Sequence, residues 1–278
     1  MNSPVRESFD VAAPLTEAEA IANLQSADPG LRFYAAWWLG KYRSTHPEAV
    51  DLLIEALGDE SDRTEDGGFP LRRNSARALG KLGDTRAVPA LVDCLECPDY
   101  YVREAAVQSL EALGDGRCVP RLLDFLEGGV AAAERVPGKP HLVQPYDGIL
   151  EALGTLQARE ASAQIAEFLE HPLPRVAFAA ARAMYQLTGE VDYGQRLVRG
   201  LEGDNLQLRR AALMDLSATD YTPAAGAIAE TLAENSLKLI ALKGILERHI
   251  AEHSGDRADD FTAAPQAEDI LHLMDGLL

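Results

Sequence analysis

The stretch Leu71–Asp84, LRRNSARALGKLGD, decides the fold, because two other segments repeat it. LRFYAAWWLGKYR starts at Leu31 and VREAAVQSLEALGD starts at Val102. Take the residue after the leading Leu or Val as an anchor: Arg32, Arg72 and Arg103. Small or apolar residues then recur three, four and seven positions later: Ala35, Ala36, Leu39; Ser75, Ala76, Leu79; Ala106, Val107, Leu110. This spacing describes one buried face of a helix. Weaker copies follow at Tyr146 (Ile149, Leu150, Leu153), Ala177 (Ala180, Ala181, Met184), Arg209 (Ala212, Leu213, Leu216) and Lys238 (Ala241, Leu242, Ile245).

Successive anchors lie 40, 31, 43, 31, 32 and 29 residues apart. A period near 31, with a shorter helix before each anchor (AVDLLIEALGD, AVPALVDCLEC, CVPRLLDFLEG), is that of paired-helix HEAT-type repeats. Each pair exposes an apolar flank and needs its neighbours, so the reading is all-α: one curved α-solenoid of about seven helix pairs. LGKLGD and LEALGD put Gly where a helix C-cap belongs, and the following AVP puts Pro in the first turn of the next helix. Residues 1–30 read as a leader with a short helix, TEAEAIANLQ, and 31–254 as the solenoid. Residues 255–278 read as a loop, GDRADDFTAAP, followed by an amphipathic segment.

Composition agrees with helices: 44 Ala and 39 Leu stand against 14 Val and 9 Ile. The net charge is −18, which argues against a nucleic-acid binder, since such a protein needs a basic face to displace phosphate counterions. No apolar run reaches the length of a membrane span. The N-terminal segment lacks the apolar stretch of a secretory signal. Three cysteines, Cys94, Cys97 and Cys118, are too few for a disulfide framework, so a cytoplasmic location is expected.

Two spacings exceed the period by about 10 residues, through extensions at 58–70 (GDESDRTEDGGFP) and 128–145 (GGVAAAERVPGKPHLVQP). Both fall just before an anchor helix, where long loops on a repeat scaffold share one edge and often carry function. On the anchor helices, positions one, five and nine after the anchor point away from the stack and line the concave side. They show Phe33, Trp37 and Lys41, then Arg73, Arg77 and Lys81, then Glu104, Gln108 and Ala112. Asp147, Glu151 and Thr155 follow, then Phe178, Arg182 and Gln186. Tyr34 and Trp38 flank the first row, and Trp38 is expected to pack between helices. An aromatic wall beside a row of cations suits a flat, conjugated ligand bearing carboxylates. Asp147 and Glu151 can accept hydrogen bonds from N–H groups or act as an acid.

Other motifs are weaker. Cys94-Leu-Glu-Cys97 has no second pair and sits within a short helix, so structural cysteines are expected. The six histidines are scattered. His249 and His253 read as a surface pair, and only His141, in the second extension, warrants interest. No metal site is expected. No GxSxG, P-loop or GxGxxG is present, so serine hydrolysis and nucleotide use find no support.

The strings YAAWWLGKYR, RTEDGGFPLRRNSARALGKLGD, ALVDCLECPDYYVREAAVQSLEALGD, PGKPHLVQPYDGILEALG and ENSLKLIALKGILE make a more specific resemblance. The chain resembles the E subunits of the E/F-type phycobilin lyases, over about residues 20–250. The WW, EDGGFPLRRN and PHLVQPYD segments carry the specificity. The resemblance implies a heterodimer with a shorter HEAT-repeat F subunit. Such a heterodimer attaches phycocyanobilin, as substrate and with no cofactor, to one cysteine of the apo-phycocyanin α subunit. A thioether forms at the ring-A ethylidene carbon. The resemblance also leaves open an E subunit of a lyase-isomerase, a bilin-detaching antenna-degradation protein, or a non-catalytic HEAT scaffold. It assigns no residue roles, so the site rests on the geometry above. Arg73 and Arg77 are expected on propionate and Trp37 on the bilin, with Phe33 and Lys81 also among the bilin-binding residues. His141 and Tyr146 are expected beside the bilin, and Asp147 or Glu151 on the pyrrole nitrogens as the acid.

Overall fold

The computed structural model describes residues 15–253 and 266–278, apart from the side chains of 252 and 253. The expected loop at 255–265 therefore lies outside the described residues. Short outer helices alternate with longer inner ones. In order the pairs are α1 (Glu17–Leu24) with α2 (Pro29–Lys41), α3 (Ala49–Ala56) with α4 (Pro70–Leu82), and α5 (Val88–Asp93) with α6 (Tyr100–Leu113). Then come α7 (Val119–Asp124), a single turn α8 (Gly129–Ala132) and the inner α9 (Tyr146–Thr155). The remaining pairs are α10 (Ser162–Glu167) with α11 (Pro174–Thr188), α12 (Val191–Gly200) with α13 (Leu206–Ser217), and α14 (Ala225–Glu230) with α15 (Asn235–His253), followed by α16 (Ala267–Asp275). Among the described residues no strand forms beyond a lone Arg135–Leu142 bridge, so the all-α HEAT architecture expected from the repeats is the one found.

Local sequence explains the regular alternation. Gly83 and Gly114 end α4 and α6 in the left-handed conformation, with φ of 78° and 67°. The next residue, Asp84 or Asp115, caps the following turn by accepting from the backbone N–H of Arg86 or Arg117. The repeated Leu-Gly-Asp is thus a stop signal and a start signal in three residues. Asp28 and Asp99 cap α2 and α6 in the same way.

The inner helices pack side by side in chain order from α2 to α15. Every residue placed three, four and seven positions after an anchor is buried, from Ala35 to Ile245. The seam between inner helices is narrow. A Cβ on Gly80 would lie 2.7 Å from that of Ser109, and one on Gly154 would lie 2.6 Å from the Cα of Ala183. Small residues here let backbones approach, which explains an Ala-rich chain with few aromatics.

The stack extends past the expected limits of 31 and 254. Helix α1 packs on α2 and α3 through Ala20, Ile21 and Leu24, and α16 packs on α14 and α15 through Ala267 and Ile270. Trp38 is half-buried against the core and lies against Tyr42, as a seam residue should. Among the described residues, no helix is long and apolar enough to cross a membrane.

Candidate functional site on the inner face

Both extensions reach the same place. In the first, Thr64 and Gly68 close a tight turn, and the Phe69 N–H donates to Asp99 Oδ2 at 2.8 Å, tying the loop to the start of α6. In the second, Val136 and Val143 N–H groups donate to the carbonyls of His141 and Glu134, making a small hairpin. Arg103 Nη2 of α6 donates to the Val143 carbonyl at 2.8 Å and holds that hairpin down. Two loops about 70 residues apart in sequence therefore converge on one helix end.

Between them lies a cavity of about 560 Å³, lined by residues from both loops and from the starts of α4 and α6. Arg73, Arg103, Lys139 and His141 face it. The His141 ring stacks on Tyr100, with centroids 4.0 Å apart and planes 8° from parallel. Arg103 is spent on two backbone carbonyls and makes no ion pair among the described residues. Of the lining carboxylates, Asp99 already accepts from Phe69 and Tyr101 N–H groups. The Arg73 guanidinium makes no ion pair, and its buried Nε has no hydrogen-bond partner among the described residues. Beside Asp66 and Asp99, these cationic side chains give the cavity N–H donors suited chemically to a carboxylate or another planar anion.

The inner face turns acidic beyond the cavity. Burial first, and then the neighbouring Asp147, raise the pKa of Glu104 on α6; Arg77, Arg175 and His141 oppose this. Burial, Asp147 and Glu104 raise the Tyr100 hydroxyl in the same direction. Asp147 on α9 accepts a charge-assisted hydrogen bond from Arg175. Glu151, one turn on, pairs with Arg182 Nη1 at 3.2 Å, and Arg182 Nη2 bonds Glu111 and Thr155 Oγ1. Burial dominates the raised pKa of Glu151, with the Asp215 charge next.

Glu104 supplies a pH test. Its folded pKa lies above the unfolded value, so its stabilising neutral form is fully present below the unfolded carboxylate range. That contribution is lost as pH rises through the folded pKa. Glu104→Gln cannot ionise, so its melting temperature relative to the parent should climb between pH 4 and pH 8. A gap independent of pH in thermal melts would refute the burial of this carboxylate.

The sequence-expected residues divide into groups. Arg73 and His141 share the cavity, and Arg77 faces Glu104. Asp147 and Glu151 belong to the acidic centre. Phe33 and Trp37 are exposed on α2; Trp37 stacks on Tyr34, and Lys41 Nζ lies 4.6 Å from its ring centre. Lys81 is exposed at the far end of α4. Inner helices pack about 8–10 Å apart, so α2 and α9 are separated by roughly 20–30 Å across the face. The candidates thus form two stations rather than one pocket.

Three expectations are corrected. Tyr146 is 3% exposed, stacks on Phe168 and donates to the Ala132 carbonyl, so its ring is built into the core and not onto the open face. Arg182 was expected to line the open face, but only 7% of it is exposed, because Glu111 and Glu151 close over it. His249 is buried rather than on the surface; the side chain of His253 lies outside the described residues. The cysteines are free and buried, and burial pushes the Cys94 and Cys118 thiols up to about 12 and about 11. Neither is a nucleophile at neutral pH, as expected of structural cysteines.

Sequence reasoning missed Arg103, Lys139, Tyr100 and Asp215. The ion pair of Glu151 with Arg182 was readable, since both sit five residues after their anchors on adjacent helices with opposite charges.

Comparisons with known proteins bear on this face. A family model for HEAT repeats matches residues 17–111 and 64–135. A phycocyanobilin lyase subunit alpha from Nostoc sp. (strain PCC 7120) is 60% identical over 264 residues, covering 95% of this chain and 94% of that protein. The phycocyanobilin lyase subunit alpha of Synechocystis sp. is 55% identical over 261 residues, covering 94% of this chain and 95% of its own. A bilin biosynthesis protein, PecE, from Nostoc is 45% identical over 245 residues, covering 87% and 91%. The solved complex of CpcE and CpcF of phycocyanin lyase from Nostoc sp. PCC7120 contains a chain that superposes with a TM-score of 0.88. That chain is 57% identical, with 100% of both chains covered.

Proposed function

This chain belongs to the phycocyanobilin lyase alpha-subunit family of HEAT-repeat proteins, and we propose that it is the alpha half of a heterodimer that attaches phycocyanobilin to phycocyanin. Its partner is an F-type lyase subunit, and its acceptor is a cysteine of the apo-phycocyanin α subunit. The observation that carries this is 60% identity sustained over 95% of the chain. The higher identity to phycocyanobilin lyase alpha subunits than to the bilin biosynthesis protein supports plain attachment of phycocyanobilin. Three free cysteines fit a cytoplasmic site of action.

The inner face suits the substrate's chemistry. Phycocyanobilin is an open-chain tetrapyrrole with two propionates and several ring N–H groups. Propionates fit the Arg73–Lys139–His141 cavity, with Arg77 just outside it. Ring nitrogens fit the carboxyls of Glu104, Asp147 and Glu151. Trp37, Phe33 and Lys81 form the neighbouring station toward α2, where an aromatic wall supports the conjugated system. Thiols add to the bilin's ethylidene carbon without help, so the enzyme's contribution is chiefly to hold one geometry against the acceptor thiol and to supply a proton.

Transfer from a loaded enzyme tests the reading. Heterodimer charged with phycocyanobilin and freed of unbound pigment is mixed with apo-α subunit. The α subunit should acquire pigment that survives denaturation, with the absorbance of phycocyanobilin. Leaving out the F-type partner should abolish the transfer. Pigment that stays on the heterodimer, or is released on denaturation, would contradict the assignment.

A further inference from the structure

The hairpin at 134–143 has little apolar surface to hold it in place. Within it only Leu142 is buried, and Pro137, Gly138, Lys139 and Pro140 at its tip are exposed. Its internal ties are few. Val143 N–H donates to the Glu134 carbonyl at 2.9 Å, Val136 N–H to the His141 carbonyl at 3.1 Å, and Lys139 N–H to the Val136 carbonyl at 3.0 Å. A lone two-stranded hairpin is marginal in water, so its place on the inner face has to come from what it is tied to.

The first turn of α6 supplies the tie. Arg103 Nη1 donates to the Cys97 carbonyl at 2.6 Å, and Nη2 donates to the Val143 carbonyl at 2.8 Å, 40 residues further along the chain. One guanidinium thus joins the hairpin to the segment that enters its own helix, which uses the planar fork of arginine. Arg103 Nε is buried and has no hydrogen-bond partner among the described residues. A buried donor without a partner is unfavourable, so the two carbonyls are what set this pose. Three residues earlier, the Tyr100 ring carries the stacked His141. His141 Nδ1 lies 2.8 Å from the Leu142 carbonyl oxygen, which can only accept, so Nδ1 donates and the ring direction is fixed. Asp99, one turn before Arg103, holds the other loop through the Phe69 N–H. Both loops that wall the cavity are therefore fixed from one helical turn.

We propose that Arg103 is a positioning residue for bilin binding: it pins the hairpin so that Lys139 and His141 stand in the cavity with Arg73 ahead of the propionate. This deepens the lyase reading above and rests on it. Without the pin, the bilin must order the hairpin and its two side chains as it binds, and the entropy lost in doing so is subtracted from affinity. Asp99 is a poorer probe of the same idea, because it also caps α6.

The test is an absorbance titration of phycocyanobilin against the heterodimer. Arg103→Met keeps an apolar stem and removes the fork, and it should weaken binding about tenfold. Arg103→Lys keeps the charge without the fork; it should lose nearly as much, and it covers a failure of the Met variant to fold. The deciding comparison is made in a Lys139→Ala, His141→Ala background. There the same Arg103 substitution should change affinity by less than about twofold, since its effect runs through those two side chains. An undiminished loss in that background would mean that Arg103 grips the bilin directly, and would overturn the proposal. Parent affinity in either Arg103 variant would overturn it as well. Absence of bilin binding by the parent heterodimer would instead defeat the lyase reading itself.

Discussion

Arg182→Ala is expected to destabilise the protein by about 3–5 kcal/mol, because it removes one partner of a buried ion-pair cluster. The Arg182 side chain is 9% exposed and is shared by Glu111 on α6, Glu151 on α9 and Thr155. Without it, Glu111, Glu151 and Asp215 face one another with Arg175 engaged on Asp147. For a chain of this size the change corresponds to a fall in melting temperature of roughly 6–20 °C. The deficit should also depend on pH. Glu151 and Asp215 have raised folded pKa values, so the stability of their neutral forms is present in acid and lost as pH rises. Removing the compensating cation deepens that loss, so the variant should approach the parent near pH 5 and fall furthest behind near pH 8. Thermal melts at the two pH values check this. A deficit below about 2 °C at pH 8 would mean that the cluster is not a closed network.

Arg73→Ala combined with Arg77→Ala is expected to weaken phycocyanobilin binding to the heterodimer while the two subunits still co-purify. Charge-assisted hydrogen bonds are worth about 1.5–3 kcal/mol each, so loss of even one propionate grip lowers affinity at least about tenfold. The fold should tolerate the change, since among the described residues the Arg73 guanidinium forms no ion pair and the exposed Arg77 lies on the open side of α4. Absorbance titration of the bilin against parent and variant heterodimers measures it. Equal affinities would remove these arginines from the site.

The fold was legible because its cause is local and repeated. Helical register, the Leu-Gly-Asp punctuation and the small residues in the seam are all written in short windows, and each recurs. The functional face was legible only where one helix determines exposure. Arg73 and Trp37 could be placed from register alone. Arg182 could not, because its burial comes from Glu111, which lies 71 residues away on another helix. Tyr146 failed for a related reason. It occupies an anchor position, but the residue it meets, Phe168, belongs to the turn after α10. The cavity escaped notice because it exists only where two loops meet. Asp215 did leave a signal, as an acidic residue in a register otherwise filled by small residues and one tryptophan.

The central claim is that the inner face from α4 to α13 carries the bilin, with its propionates toward Arg73 and its nitrogens toward the carboxyls. The most direct measurement is a structure of the heterodimer loaded with phycocyanobilin before acceptor is added. Propionate oxygens are expected within hydrogen-bonding distance of Arg73 or Arg77, and a ring nitrogen against Glu104, Asp147 or Glu151. A bilin resting on the outer helices, or held by the partner alone, would contradict it.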